Sequence, residues 1–140
     1  KVQKEILNKY NLKNIPLSNQ ISSNDKCYLL RIEPLKWWLI QKEYQQFEID
    51  KTVILDLSHS RTHIKVSGDK TTEFLKRFFP IDLNKDRFKV NSLASTSFHH
   101  VSITLWRSNN YYEMLIPRAF ALSIWEILLE GASQFGYEIR

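Results

Sequence analysis

Apolar residues recur along this chain at two spacings, one helical and one of period two. Near the start, Val2, Ile6, Leu7 and Tyr10 stand at helical spacing, which predicts a short helix or arm within Lys1–Lys13. Ser18 to Lys26 is polar and reads as loop. Cys27 to Ile32 is a compact apolar run, broken by Glu33-Pro34-Leu35-Lys36 and resumed from Trp37 to Gln41, which predicts two strands joined as a hairpin. Val53, Leu55 and Leu57 alternate with Ile54 and Asp56 and read as a strand, with a tight turn at Ser58-His59-Ser60. Thr62, Ile64 and Val66 then alternate with Arg61, His63 and Lys65, as in a half-buried antiparallel strand with its basic residues on one face.

Ser67-Gly68-Asp69 ends that strand, and Ser67 or Asp69 offers a cap for a helix that aligns Phe74, Leu75, Phe78 and Phe79 until Pro80 stops it. Ile81 to Lys89 reads as a charged loop and Val90 to Phe98 as a strand weakened by Asn91. His100 to Trp106 alternates, with Val101, Ile103 and Leu105 on the apolar side and Trp106 on the other, and Arg107-Ser108-Asn109-Asn110 turns the chain into a return strand, Tyr111 to Ile116. Pro117 opens the strongest helical pattern, from about Arg118 to Gln134, where Phe120, Ala121, Ile124, Trp125, Leu128, Leu129 and Ala132 make one wide stripe before Gly136. Tyr137 to Ile139 is the right size for a last edge strand.

The sum is an α+β fold: an antiparallel sheet with two main helices on one face. Residues 1–26 form an N-terminal arm or short helix, and residues 27–140 form the domain. A doubly wound parallel sheet is disfavoured because strands and helices do not alternate. No Gly-rich phosphate loop follows a strand, which removes the dinucleotide and Walker signatures.

Composition narrows the class. Hydrophobic residues make up 43% of the 140, enough for a folded core, and only 3 Gly and 4 Pro leave no room for a linker. No apolar run approaches the roughly 20 residues that span a bilayer, and no secretory leader is recognisable in the chain as given. A single cysteine, Cys27, makes no internal disulfide and points to a cytoplasmic setting. The net charge of +5 is spread along the chain, so a solvated basic surface is preferred over a nucleic-acid footprint.

Candidate chemistry is sparse. His59 and His63 have a spacing that suits a metal on a helix, but on a turn and strand they stand about 13 Å apart along the chain. His99 and His100, adjacent in a strand, point to opposite faces. Asp56, His59 and Ser58 or Ser60 supply the residue types of a nucleophilic triad, yet neighbours on one tight turn do not reach its geometry, and no Gly-x-Ser-x-Gly elbow exists. Cys27 follows Lys26, which would favour a thiolate, although burial as a small apolar residue is the commoner outcome. The expectation is no catalytic, cofactor-binding or metal-ligating residue in this chain.

The aromatic residues point elsewhere. Trp37 and Trp38 are consecutive, as are Tyr111 and Tyr112, so on strands one of each pair faces outward, and Trp106 falls on the polar side. Uncovered aromatics are favoured at interface centres. Trp37, Trp38, Trp106, Tyr111, Tyr112 and Arg118 are therefore candidate interface residues. A single core with these aromatics tucked under the N-terminal arm is the competing reading.

Leu55-Asp56-Leu57-Ser58-His59-Ser60-Arg61, then Val66-Ser67-Gly68 and Pro80-Ile81-Asp82-Leu83, resembles the core motif of the γ subunit of heterotetrameric sarcosine oxidase. Ile116-Pro117-Arg118-Ala119-Phe120-Ala121 with Leu122-Ser123-Ile124-Trp125-Glu126, Leu128-Leu129 and Phe135-Gly136 is similar to that family's C-terminal motif, with Ala119 where the pattern carries Ser. Leu30-Arg31-Ile32-Glu33-Pro34 and Trp37-Trp38-Leu39 resemble its early strand-turn-strand. The likeness covers about residues 28–138. It implies a fold similar to part of the folate-binding aminomethyltransferase of the glycine cleavage system. It also implies an accessory role beside α, β and δ subunits, mainly α, in the oxidative demethylation of sarcosine or a related N-methyl amine. FAD, FMN, NAD, tetrahydrofolate and zinc belong, by that resemblance, to the other subunits, and none to this chain. A small folate-binding module and a nucleic-acid-binding α/β module are the alternatives weighed against it.

Overall fold

The computed structural model describes residues 2–46, 48–49 and 52–140. Helix α1 (Val2–Tyr10) leads into three short strands, β1 (Ile21–Ser23), β2 (Cys27–Glu33) and β3 (Lys36–Gln41). Then come β4 (Arg61–Ser67), α2 (Thr71–Leu75), β5 (Leu93–Phe98), β6 (Val101–Arg107) and β7 (Tyr111–Pro117). A 3-10 turn (Arg118–Phe120) opens onto α3 (Ala121–Ala132). The α+β class and the antiparallel pairing are as the sequence predicts, but the strands divide between two sheets, ordered β1-β2-β3 and β4-β7-β6-β5.

Alternation explains the layers. On β6 and β7, Ile103, Leu105, Tyr112, Met114 and Ile116 meet Phe74 and Leu75 of α2 and Ile124 and Leu128 of α3 in the main core. The opposite face of the same sheet carries Trp106 and Leu115, which close with Leu93, Ile21 and Leu30 into an inter-sheet core flanked by Tyr28, Ile32, Trp38 and Ile40. The outer face of the small sheet, Cys27 and Leu29 with Leu39 and Trp37 beside them, packs under Ile6 and Tyr10 of α1. The molecule is thus layered helix, sheet, sheet, helices. The face of β4 that carries Arg61, His63 and Lys65 is not a plain solvated surface: Arg61 lies over Trp38 and Lys65 over Tyr111, at 5.1 and 3.8 Å from the ring centres.

Several boundaries differ from the sequence expectation for identifiable reasons. Ser18–Lys26 contains β1, because Ile21 is buried opposite Leu30, and three residues are too few for alternation to show. Val53–Leu57 is no strand: the segment pairs with neither sheet. β5 starts only at Leu93 because Asn91 takes a left-handed backbone, φ 68°. His99 and His100 form the turn between β5 and β6, with His99 at φ 51°, rather than successive strand positions. Lys70 occupies the cap of α2 without a side-chain bond, so neither Ser67 nor Asp69 caps it. Tyr137–Ile139 joins no sheet.

The two edges of the large sheet are treated differently. At the β5 edge, Ile21 N–H donates to Asn91 O at 2.9 Å and Leu93 N–H to Asn19 O at 2.9 Å, with a bridge between Gln20 and Ser92, so the small sheet ties that edge down. At the other edge, β4 pairs with β7 alone among the described residues.

Candidate functional site

Two places concentrate unusual side chains: a polar cluster between the sheets and an apolar shelf beside the open edge of β4.

The cluster is centred on Glu113, which the period-two pattern of β7 turns away from the helices. Its carboxylate is 2% exposed and lies 2.7 Å from Nε2 of His63, its diagonal neighbour on the same face of the β4–β7 pair, where Glu113 is in register with Lys65 and His63 with Leu115. Trp106 Nε1–H and Ser108 Oγ–H donate to its other oxygen at 3.3 and 3.1 Å. Burial alone would push this carboxyl up; the bond and charge of His63, with the Ser108 and Tyr28 hydroxyls, outweigh it and hold the group below the usual carboxylate range. Burial and the Glu113 charge in turn push the Tyr28 phenol up. Every polar atom of the cluster named here is spent on a neighbour, which is how a carboxylate survives in an inter-sheet core.

The turn Asp56–Ser60 holds the residue types of a triad without its geometry. Asp56 Oδ1 accepts both the N–H, at 2.9 Å, and the hydroxyl of Ser58, and these bonds hold its carboxyl below the ordinary value. Ser60 Oγ–H donates to Leu57 O at 2.7 Å. Both hydroxyls therefore build the turn. Among the described residues no group of three His, Cys, Asp or Glu side chains could hold a metal, and no helix is long and apolar enough to cross a membrane. Cys27 is fully buried, and burial pushes its thiol up despite the opposing Lys42 charge.

The six candidate interface residues are not brought together. Trp106 and Tyr112 are withdrawn as interface residues because both are buried in the chain's own core. The Trp106 ring fills the inter-sheet core. The Tyr112 hydroxyl donates to Leu83 O at 3.3 Å and sits 3.1 Å from Thr72 Oγ1. Trp37 and Trp38 lie on opposite faces of the small sheet, the first against Arg31 and the second against Arg61. Tyr111 lies half-buried under Lys65. Only Arg118 stands fully exposed; its N–H donates to Ser60 O at 3.0 Å and its guanidinium reaches His59 O at 3.5 Å.

Around Arg118 the surface is apolar. Val53, Leu55 and Leu57 precede the Ser58–Ser60 turn and are exposed, Val53 at 97%, and Phe120 and Leu122 are exposed at the start of α3. An open hollow of about 410 Å³ runs from Thr62, His63 and Ile64 on β4 to Ala121, Leu122 and Trp125 on α3. Sequence reasoning missed this shelf because it assigned Val53–Leu57 to the sheet. Leu122 lies outside the stripe of the last helix, and that is the one local signal of a second apolar surface.

No family model matches the chain. Among curated proteins, it is similar to the sarcosine oxidase γ subunits of Corynebacterium sp. strain P-1 (30% identity over 86 residues, 61% of this chain and 42% of that protein) and strain U-96 (30% over 83 residues, 59% and 40%). A third γ subunit, from Arthrobacter sp., is 30% identical over 67 residues. The matched region spans less than half the length of these relatives. A chain of the heterotetrameric sarcosine oxidase of Corynebacterium sp. U-96, solved in complex with pyrrole 2-carboxylate, superimposes with a TM-score of 0.81 at 19% identity, over 99% of this chain and 76% of that one. The resemblance to the γ subunit family is borne out in sequence by these three relatives, and the fold is shared with a chain of that complex.

Proposed function

We propose, from the likeness to the sarcosine oxidase γ subunits, that this chain is a non-catalytic γ-type accessory subunit of a heterotetrameric sarcosine oxidase. It packs on the larger subunits, mainly α, of a complex that demethylates sarcosine or a related N-methyl amine oxidatively. FAD, FMN, NAD, tetrahydrofolate and zinc then lie in the α, β and δ subunits, and residues 27–140 are the assembling domain with residues 1–26 as its arm. A cytoplasmic setting suits such a complex.

The observation that carries this reading beside the sequence likeness is the contrast between the two unusual places in the fold. The polar side chains that look chemical, Glu113, His63, Ser58 and Ser60, are bonded to one another or to their own turn. The apolar side chains that a free-standing domain would bury, Val53, Leu55 and Leu122, are left out. A chain built this way contributes surface.

Co-expression with its α, β and δ subunits tests the reading. The tagged chain is expected to bring down all three in fixed ratio through a sizing column, and the isolated chain to leave sarcosine unoxidised. If the large subunits assemble and elute without it, the reading is wrong.

A further inference from the structure

The reading as a subunit leaves open where the chain meets its neighbours, and the apolar shelf answers that. Six of the twelve large apolar side chains left exposed among the described residues are Val53, Ile54, Leu55, Leu57, Phe120 and Leu122. Backbone bonds anchor the Leu57 end of this group beside the entry to α3. Ser60 N–H donates to Leu57 O at 2.9 Å, Arg118 N–H donates to Ser60 O, and Arg61 is paired in register with Pro117. The end of the 52–57 segment therefore sits where the chain enters α3. Beside it runs the outer edge of β4, unpaired among the described residues, and the hollow between that edge and Leu122 and Trp125 has room for one or two apolar side chains.

We propose that Thr52–Leu57, the outer edge of β4 and this hollow form one docking surface, and that its occupant is an acid-rimmed, strand-bearing surface of a larger subunit of the same complex. The proposal rests on the subunit reading above and adds the place and the partner's chemistry. An open strand edge supplies main-chain hydrogen bonds to an added strand, while an adjacent pocket takes its alternate side chains. The 52–57 segment suits the reciprocal role. Val53, Leu55 and Leu57 would share one face of a strand and Ile54 the other, the pattern of a strand covered on both sides. An open edge with an apolar run beside it is a template for an added strand.

Charge selects among occupants. His59 and Arg118 are exposed at the turn, and exposed Lys65 and half-exposed Arg61 project from the β4 edge on the face away from the hollow, against two exposed carboxylates, Asp56 and Glu126. Asp56 is already engaged by the N–H and hydroxyl of Ser58. A second copy of this chain meeting the shelf across a two-fold axis would set Arg61, Lys65 and Arg118 against themselves, which is repulsive. Carboxylates on a different chain would match them.

The test compares assembly of the wild-type chain and three variants with α, β and δ. Val53 and Leu55 are exposed, so V53D/L55D leaves the fold intact and is expected to weaken assembly about tenfold or more. Leu35→Asp, at the 95% exposed tip of the β2–β3 turn, is expected to assemble as wild type. Arg118→Glu is expected to weaken assembly and flatten its salt dependence. Amide hydrogen exchange in Thr52–Leu57 is expected to slow on assembly of the wild type. Wild-type assembly by V53D/L55D, or unchanged exchange in that segment, overturns the docking surface and leaves the subunit reading standing. Failure of the wild type itself to assemble removes both. A dimer of this chain alone, dissociated by V53D/L55D, makes the occupant a second copy and refutes the acid-rimmed partner.

Discussion

Glu113 shows how much of this fold is decided by single residues. Its neighbours hold its carboxyl below the ordinary range, so its contribution to stability is fully present above the unfolded carboxyl value of about 4.3 and is lost as pH falls through the lower folded value. Glu113→Gln removes that dependence. The variant is expected to be about 1–3 kcal/mol less stable at neutral pH and to lose less stability than wild type on acidification, read from urea midpoints between pH 7 and pH 3. A variant whose midpoints fall in parallel with wild type would show that the cluster does not set the acid limb. Gly131 matters for space: a Cβ there would stand 2.6 Å from Phe78 Cζ and 3.3 Å from Phe74 Cε2, so α3 seats on α2 because this residue has no side chain. Gly131→Ala gains about 1 kcal/mol of helix propensity but is expected to lose more to overpacking, of order 1–3 kcal/mol, and so to melt lower. A higher melting temperature would mean the Phe78 ring gives way freely.

At the scale of elements, α1 has a testable role as the lid of the small sheet. Ile6 and Tyr10 cover Cys27 and Leu29, and the Cys27 thiol is fully buried. Ile6→Ala is expected to cost about 2–4 kcal/mol and to speed labelling of Cys27 by a thiol reagent in native buffer. Unchanged labelling would place the opening that exposes Cys27 elsewhere. The elements also show what the sequence makes legible. Alternation makes β4 and β6 readable, the turn at Arg107–Asn110 makes β7 readable as the return strand, and compact apolar runs make β2 and β3 readable as a hairpin. Also readable is α3, whose stripe meets the main core. What could not be read is pairing: Val53–Leu57 has a strand's alternation but no partner among the described residues, while β1 has a partner and too few residues to alternate. Nor does alternation say which polar face is solvent. The side of the large sheet that carries His63, Glu113 and Trp106 is covered by a second sheet, so Trp106 fills the inter-sheet core, while Tyr112, on the other side, is buried against the helices. Of the six candidate interface residues, Arg118 alone lies on the exposed shelf, because exposure depends on layering that no single strand encodes.

For the molecule as a whole, the layering of helix, sheet, sheet and helices buries three apolar clusters and leaves the β4 edge of the large sheet, with an apolar segment beside it, unpaired among the described residues. That asymmetry, with the β5 edge tied down and the β4 edge open beside exposed apolar side chains, is the feature on which the subunit reading leans. The most direct measurement is native mass spectrometry of the complex formed on co-expression with the α, β and δ subunits. The account predicts one copy of this chain in each tetramer, with sarcosine oxidation present in the complex and absent from the chain alone. An active particle that lacks the chain, or turnover by the isolated chain, would contradict it.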